Sequence, residues 1–273
     1  MKNYTEEDIS FLCRAMDMDK DILLVHSSLY TLGILKGVDI NKIPNRIIDI
    51  LYNHTKQGSL IFPNFNYDFS ITGECDLSKT PSQIGTISEV FRKKTTLRSG
   101  HPIFSFSGLG EKAEEVLKPD IPEYDPFGSD SVFGRLHKND AIILLLGVNL
   151  NVCTYMVYCE RQNNVVYRFY KPFHGSVKLT NGIKYEGDYY HYCFPKNQEI
   201  RINYAKAEKM LIDEKIINTL PIGMNKAYWF RTKAFINKIS EYLDNDPWFL
   251  LHGKPKRIWG MVNGVEKVVK YLE

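Results

Sequence analysis

Short apolar runs alternate with segments of helical periodicity over the first two thirds of the chain. Residues 22–25, 59–62 and 141–148 are apolar almost throughout, and runs of this length bounded by polar turns are typical of buried strands. A segment with apolar residues three and four positions apart follows each run. The helices predicted in this way span residues 43–52, 84–94 and 151–163. This order predicts an α/β fold in which helices flank a layered mixed sheet with some parallel pairing.

The pattern changes near residue 170. Residues 177–185 alternate between apolar and polar side chains around Asn181-Gly182, which is the strongest short-range signal for an antiparallel hairpin. Further helical periodicity follows in the remainder of the chain. We therefore expect an α/β lobe over residues 1–168. A smaller mixed α+β lobe that contains the hairpin should span residues 169–273, packed with the first as one structural unit.

Composition and charge exclude several classes of protein. The 273 residues carry a formal net charge of +3 with basic residues scattered along the chain, which argues against a nucleic-acid partner. The longest apolar run, residues 141–148, is far below the roughly 20 residues that span a bilayer, so no membrane partner is expected. The five cysteines form no Cys-x-x-Cys pair, which favours free thiols over disulfides or a metal site. We expect a cytoplasmic protein, with homo-oligomer formation left open.

Polar residues stand at the end of the first predicted strand. His26, Ser27 and Ser28 follow it directly, and Gly33 lies in the next loop. Open α/β sheets bind ligands at the carboxyl ends of their strands, and hydroxyls with exposed backbone N–H groups can hold a phosphate there. Capping of the next helix is the alternative, and for the serines taken alone it is the better one.

A second polar segment, residues 64–83, is long for a loop in a compact enzyme, and such loops often belong to active sites. Thr80 and Ser82 lie at its end, where their hydroxyls are explained most simply as helix caps. His101 lies in a turn after Arg98, and a lone histidine is more often structural than a base. Motifs for nucleoside triphosphates, dinucleotides and serine hydrolases are absent from the sequence.

Several short segments resemble, in their order along the chain, the aminoglycoside 3-N-acetyltransferase family. They lie between about residue 23 and residue 168, which is more than half of the chain. The segments are Val25-His26-Ser27-Ser28-Leu29 with Gly33, Gly58-Ser59-Leu60-Ile61-Phe62-Pro63, Thr80-Pro81-Ser82-Gln83-Ile84-Gly85, Arg98-Ser99-Gly100-His101-Pro102, Pro126-Phe127-Gly128 and Leu144-Leu145-Leu146-Gly147-Val148. No segment after residue 168 resembles the family as clearly.

The resemblance implies an antibiotic-acetyltransferase fold and an enzyme that transfers an acyl group directly to an amine, without a covalent enzyme intermediate or a metal. It implies that acyl-CoA is the co-substrate and that matching polar residues in the first lobe bind it. These residues are His26, Ser27, Ser28, Gly33 and Thr80. The resemblance further implies a transfer site with Ser82, His101 and Glu160 as the catalytic residues.

One position departs from the family. Members that modify antibiotics carry a Thr-x-x-His-x-x-Glu segment whose histidine is regarded as the general base. Here the segment has Thr154 and Glu160, but Val157 stands in the place of the histidine. Either the enzyme is inactive, or its acceptor amine is partly deprotonated and is activated mainly by positioning. In the second case the proton leaves through His101, Glu160, water or the departing thiolate.

Val157 and the distribution of charge together suggest the acceptor. Aminoglycosides are polycations that need acidic pockets, whereas the second lobe is rich in Lys, Arg and Tyr. Some relatives in this family acylate nucleotide-linked deoxysugars, including one on the route to anthrose. We therefore expect an N-acyltransferase for a nucleotide-linked amino-deoxysugar such as dTDP-4-amino-4,6-dideoxyglucose, with the acyl chain left open. The alternatives are an aminoglycoside 3-N-acetyltransferase that confers antibiotic resistance and a non-catalytic binding protein of the same fold.

Overall fold

The computed structural model describes residues 3–18, 20–55, 58–196 and 199–272. The strands in this part of the chain are β1 (Asn3–Tyr4), β2 (Ile22–Ser27), β3 (Ile34–Leu35), β4 (Ser59–Pro63), β5 (Glu74–Asp76), β6 (Phe106–Gly110), β7 (Ile142–Leu146), β8 (Phe169–Lys178), β9 (Lys184–Cys193), β10 (Asn218–Ile222), β11 (Asn225–Arg231), β12 (Arg257–Val262) and β13 (Val265–Tyr271). The helices are α1 (Glu6–Ala15), α2 (Leu29–Leu32), α3 (Ile43–Thr55), α4 (Phe69–Thr72), α5 (Thr86–Lys94), α6 (Ala113–Leu117), α7 (Val132–Lys138), α8 (Tyr155–Gln162), α9 (Tyr204–Asp213) and α10 (Thr232–Asn245). None of these helices is long and apolar enough to cross a membrane.

A six-stranded mixed sheet lies at the centre of the fold, in the order β10-β11-β7-β2-β4-β6. Strands β7, β2 and β4 are parallel to one another, and β11 and β6 flank them in the antiparallel direction. Leu24 of β2 is paired with Ile61 of β4 on one side and with Ile143 of β7 on the other. Every residue of β4 and β7 is buried, as their apolar runs predict.

Helices cover both faces of this sheet, because successive side chains of a strand point to opposite sides. Leu23 and Val25 of β2 belong to a core that includes the apolar faces of α1, α3 and α5. Ile22 and Leu24 belong to a second core, on the other face, to which α6, α7, α8 and α10 contribute. The predicted fold class, a layered mixed α/β sheet with flanking helices, is confirmed.

The predicted antiparallel hairpin is formed by β8 and β9, which pair over ten residue pairs from Phe169 and Cys193 to Lys178 and Lys184. Gly182 in the connecting turn has a φ of 86°, a left-handed conformation that the Asn-Gly pair favours in tight hairpins. Strand β5 pairs with β8 in the parallel direction and completes a three-stranded sheet.

The predicted division into lobes at residue 168 does not match the strand pairing. Strand β11 comes from the second part of the chain, yet it pairs with β7 in the main sheet through contacts such as Trp229 with Leu144. In the reverse direction, β5 from the first part pairs with β8 of the hairpin sheet. Strand pairing therefore crosses the predicted boundary at residue 168 in both directions.

Candidate active site

A cavity of about 650 Å³ opens at the carboxyl ends of the three central parallel strands. His26 and Ser27 at the end of β2, Pro63 at the end of β4 and Val148 just after β7 contribute to its wall. This is the edge at which open α/β sheets bind their ligands. The sheet therefore gathers polar strand ends from distant parts of the sequence around one space.

The amino-terminal end of α5 forms another part of the wall. Gly85, Thr86, Ile87 and Ser88 line the cavity, and no side chain caps the first turn of this helix. The first backbone N–H groups of a helix have no partner within the helix, and the helix dipole adds a partial positive charge there. Phosphate groups bind well at such a position.

Two polar atoms beside this helix end have no partner among the described residues. The His26 side chain is only 5% exposed, and its Nε2 atom is buried without a hydrogen bond. The Ser27 Oγ atom is buried and unpartnered in the same way. Burial lowers the pKa of His26 to about 4, so its imidazole is neutral at physiological pH. Two residues of the cavity wall thus carry buried polar atoms that no described residue satisfies.

A buried cluster of four residues, Glu160, Tyr167, Arg168 and Tyr204, contributes another part of the wall. Arg168 and Tyr204 line the cavity, whereas Glu160 lies behind them with a side chain that is 0% exposed. The Glu160 Oε2 atom accepts bonds from Arg168 Nε at 2.7 Å and from the Tyr204 hydroxyl at 2.9 Å. The Tyr167 hydroxyl donates to Glu160 Oε1 at 3.1 Å.

The guanidinium of Arg168 keeps part of its bonding capacity. Its Nη2 donates to the Tyr204 hydroxyl at 3.2 Å and its Nη1 donates to the Tyr192 carbonyl at 3.3 Å. With the bond to Glu160, three of the five N–H donors of a guanidinium are used within the described residues. Burial acts to lower the pKa of Arg168, but Glu160, Tyr204 and Tyr167 together outweigh this effect and raise it. The guanidinium is thus paired with the Glu160 carboxylate and keeps two N–H donors that none of these bonds uses.

A model of the aminoglycoside 3-N-acetyltransferase family matches residues 24–244 of this sequence. The chain belongs to this family. Aminoglycoside N(3)-acetyltransferase IV from Salmonella sp is 26% identical over 233 residues, which cover 85% of this chain and 84% of the relative. Membership confirms the resemblance seen in the sequence, and the chain is an acyl-CoA-dependent N-acyltransferase with acyl-CoA as its co-substrate.

Solved structures of family members share the fold of this chain. The binary complex of AAC-IIIb with CoASH has a TM-score of 0.75 at 17% identity and covers 93% of this chain and 100% of that one. A mutant of AAC(3)-IVa in complex with a gentamicin has a TM-score of 0.72 at 23% identity and covers 93% of both chains. The family fold thus extends over nearly the whole of this sequence.

The family motifs contribute only in part to the cavity. His26, Ser27 and Ser28 line it, as does Val157 on α8. Gly33 is not among the lining residues and ends α2 with a φ of 94°. Its role is therefore that of a turn residue.

Thr80 and Ser82 also lie outside the cavity lining. The Thr80 carbonyl accepts a bond from Arg98 Nη1 at 2.5 Å. The Ser82 backbone N–H donates to Glu89 Oε2 at 2.8 Å, and the Ser82 hydroxyl accepts from the Ile84 N–H at 3.4 Å. These contacts fix the loop before α5, and the predicted roles of Thr80 in coenzyme binding and of Ser82 in catalysis stay predictions.

The prediction of a catalytic His101 is corrected by its contacts. The residue is fully buried and does not line the cavity. Its Nδ1 atom accepts the backbone N–H groups of Ile103 at 3.1 Å and Phe104 at 2.9 Å, and its Nε2 donates to the Tyr190 carbonyl at 3.2 Å. Burial lowers the pKa of His101 to about 3. Because both ring nitrogens are engaged, His101 fixes a turn and has no lone pair for a substrate.

The predicted catalytic role of Glu160 also changes. Its carboxylate is enclosed by the cluster and does not reach the cavity, so it cannot touch a substrate in this arrangement. It instead holds Arg168 and Tyr204 in position. These two residues belong to the site but were not predicted from the sequence.

Gly147 directly follows β7 and packs against the loop that carries Ser28. Gly147 has a φ of 73°, and a Cβ atom placed on it would lie 2.6 Å from Thr31 Oγ1 and 2.7 Å from the Ser28 carbonyl. The Thr31 hydroxyl lies 2.8 Å from the Ser28 carbonyl and 2.5 Å from the Gly147 carbonyl. A side chain at position 147 is thus excluded both by the backbone conformation and by close contact with Thr31 and the Ser28 carbonyl.

Gly147→Ala should destabilise the protein by about 2–4 kcal/mol, of which about 1–2 kcal/mol is left-handed strain and the rest is displacement of the Ser28 loop. It should also weaken CoA binding roughly tenfold, because Ser28 lines the cavity. Urea unfolding and titration calorimetry with CoA measure the two effects. Gly264→Ala is the matched control, since Gly264 has a φ of 75° and no atom within 4 Å of the added Cβ. Equal CoA affinity in both variants would contradict the prediction.

Proposed function

We propose that this N-acyltransferase acylates the amino group of a nucleotide-linked amino-deoxysugar, such as dTDP-4-amino-4,6-dideoxyglucose. The observation that carries the proposal is the charge of the cavity wall. Among the described residues that line it, Arg168 carries a charge and none has a carboxylate. A polycation finds no counter-charge on such a wall, whereas a phosphate group can pair with the free donors of a guanidinium.

The coenzyme is expected to use a different part of the cavity wall. The uncapped first turn of α5 and the Ser27 hydroxyl are available to phosphate and amide groups of acyl-CoA. These groups are separate from Arg168, which lies in the cluster with Glu160. Donor and acceptor can therefore occupy the cavity together, as direct transfer requires.

Direct transfer from the coenzyme to the amine is also supported by the state of the thiol in the cavity. Cys153 lines the wall, but burial raises the pKa of its thiol to about 12. A thiol is a good nucleophile only as a thiolate, so Cys153 is unsuited to carry an acyl group. The amine nitrogen itself attacks the thioester carbonyl carbon, and alignment of the two substrates supplies much of the rate.

Acylation of an aminoglycoside is the second candidate function. The family description and the name of the Salmonella relative favour it, and a family member has been solved with a gentamicin. The wall described above argues against it for this chain, because the cationic rings of an aminoglycoside would face Arg168. Val157 at the position of the family base is a second difference from the antibiotic-modifying members.

A thiol-release assay with a panel of acyl-CoAs tests the proposal. The acceptors should be a dTDP-4-amino-4,6-dideoxyglucose, the methyl glycoside of the same amino sugar, and gentamicin. We expect kcat/KM for the nucleotide-linked sugar to exceed that for the methyl glycoside by about 100-fold, because one charge-assisted phosphate contact contributes roughly 1.5–3 kcal/mol. Turnover of gentamicin without turnover of the nucleotide sugar would replace the proposal by the second candidate. Absence of CoA binding in calorimetry would contradict both.

A further inference from the structure

Acyl transfer to an amine releases a proton from the nitrogen, and few side chains in the cavity can take it. Tyr67, Cys153 and Tyr204 line the wall, and burial raises the pKa of all three. They therefore keep their protons at neutral pH. Arg168 is permanently protonated, since Glu160, Tyr204 and Tyr167 together outweigh the effect of burial on its pKa. None of these four groups can act as a base.

His26 differs from them in having a free basic atom. It lies near the end of the central strand β2, where its backbone pairs with Leu145 of β7. Its Nε2 atom is buried and has no hydrogen-bond partner among the described residues, and the residue as a whole is only 5% exposed. Buried polar atoms in folded proteins are nearly always bonded, so an unpartnered one in a residue that lines a cavity points to a ligand atom.

A comparison with His101 shows that the free nitrogen is specific to His26. Both imidazoles are buried, but the two ring nitrogens of His101 are bonded to backbone groups. His26 lines the same cavity as Val157, whose side chain cannot accept a proton. Of these two neutral imidazoles, that of His26 therefore lies at the site and that of His101 does not.

We propose that His26 is the general base of the transfer in this chain. The lone pair of the acceptor amine attacks the thioester carbonyl carbon and forms the C–N bond, and the nitrogen gives its proton to His26 Nε2. The C–S bond then breaks, and the departing sulfur takes the proton from the imidazolium. The net change is one proton moved from nitrogen to sulfur, so no further reactant is required. The inference rests on acyl transfer itself and is independent of which amine is the acceptor.

The surroundings of His26 suit this role. Burial keeps its pKa at about 4, so the imidazole is in its basic form throughout the neutral range. The charged and titratable side chains that border the same space are Tyr30, Tyr67, Cys153, Arg168 and Tyr204. None of them is a carboxylate that would hold a proton on the imidazole between turnovers. A low pKa makes the imidazole a weak base and its conjugate acid a strong one, so the proton accepted from the amine is passed on to the departing sulfur.

Two substitutions test the proposal. His26→Gln and His26→Asn keep a polar side chain but remove the basic nitrogen, so kcat should fall about 100-fold or more, the usual contribution of a general base. The KM for acyl-CoA and the CoA affinity in calorimetry should change less than about threefold, since base catalysis acts on the transition state. His252→Gln is the matched control, because His252 is exposed and does not line the cavity; it should keep the wild-type kcat.

The outcomes separate this role from the others that His26 can have. A tenfold or larger rise in the KM for acyl-CoA with unchanged kcat in both variants would make His26 a coenzyme-binding residue and overturn the proposal. An unchanged kcat and KM would overturn it as well. The rates of the variants and the wild type are compared with whichever acceptor the enzyme turns over. Turnover of an aminoglycoside would refute the proposed substrate, and the same comparison would still decide the role of His26. Unfolding curves of both variants establish that the cavity is intact before the rates are compared.

Discussion

The free energy of unfolding should fall steeply when the pH is lowered from 6.5 towards 4.5. Burial lowers the pKa of His26 to about 4, that of His101 to about 3 and that of His191 to about 4, whereas a histidine in an unfolded chain titrates near pH 6.5. The unfolded state therefore takes up protons that the folded state cannot hold. The stabilisation from these neutral imidazoles is complete above about pH 6.5 and is lost as the pH falls towards the folded values.

One buried carboxyl acts in the opposite direction. Burial raises the pKa of Glu123 to about 7, against the effect of its partner Arg135, so the folded state gains this proton before the unfolded state does. For these four groups, three histidines less one glutamate leave a net uptake of two protons on unfolding; burial also lowers the pKa of His137, which acts in the same direction as the other histidines. At about 1.36 kcal/mol per proton and pH unit, the slope is about 3 kcal/mol per pH unit. The exposed His174 has a raised pKa through Asp188 and Glu186, but solvent screens this contribution.

Urea unfolding at pH 7.5, 6.5, 5.5 and 4.8, followed by tryptophan fluorescence, measures this slope, which is reached only below about pH 5.5, where the histidines of the unfolded state are protonated. His191→Phe should lower it by about 1.4 kcal/mol per pH unit, because it removes one of the three histidines; the ring can keep the contact that His191 makes with Phe104, at 4.9 Å between centroids. His252→Gln should leave the slope unchanged, since His252 is exposed. Equal unfolding free energies at pH 7.5 and 5.5 would contradict the assignment of neutral buried histidines.

Glu160→Gln should cost about 3–5 kcal/mol of unfolding free energy, the usual penalty for breaking a buried ion pair at one partner. The side chains of Glu160 and Arg168 are 0% and 6% exposed, so the variant leaves the guanidinium charge without its carboxylate. The hydroxyls of Tyr167 and Tyr204 would lose an ionic acceptor at the same time. Acceptor binding should weaken as well, because Arg168 loses the group that orients it.

The control for this variant is Glu7→Gln. Glu7 pairs with Arg14 at 2.5 Å, but their side chains are 75% and 51% exposed, and an exposed pair contributes about 0–1 kcal/mol. Glu160→Gln combined with Arg168→Met should regain part of the lost stability, since the buried charge is then absent. A loss below about 1 kcal/mol in the single variant would show that the cluster does not depend on its ion pair.

The features of the fold that are local in sequence could be predicted. The capping box of Thr5 and Asp8 begins α1, and the Asn181-Gly182 turn joins β8 and β9, because each signal lies within a few residues. The position of β11 beside β7 could not be predicted. Strand pairing between residues some 80 positions apart depends on which apolar edge is left open by the rest of the sheet, and hydrophobic periodicity carries no information about it.

The site shows the same limit. His26 and Ser27 were found because a polar pair directly after a buried strand must lie at the edge of the sheet. His101 was misjudged, because a motif does not show whether a histidine turns towards a substrate or towards its own backbone. Arg168 and Tyr204 carry no local signal. Only the burial of Glu160 reveals that a cation and hydroxyl donors must surround it.

The pairing of β11 with β7 has a consequence for the synthesis of this protein. Strand β7 is apolar throughout, and one of its edges is covered only by residues 225–231. A nascent chain that has emerged as far as β9 therefore presents an unpaired hydrophobic strand edge for as long as the ribosome needs to add the remaining part. Open edges of this kind recruit other chains. Messages truncated before residue 225 should consequently yield products that aggregate or are captured by chaperones, rather than a smaller folded enzyme.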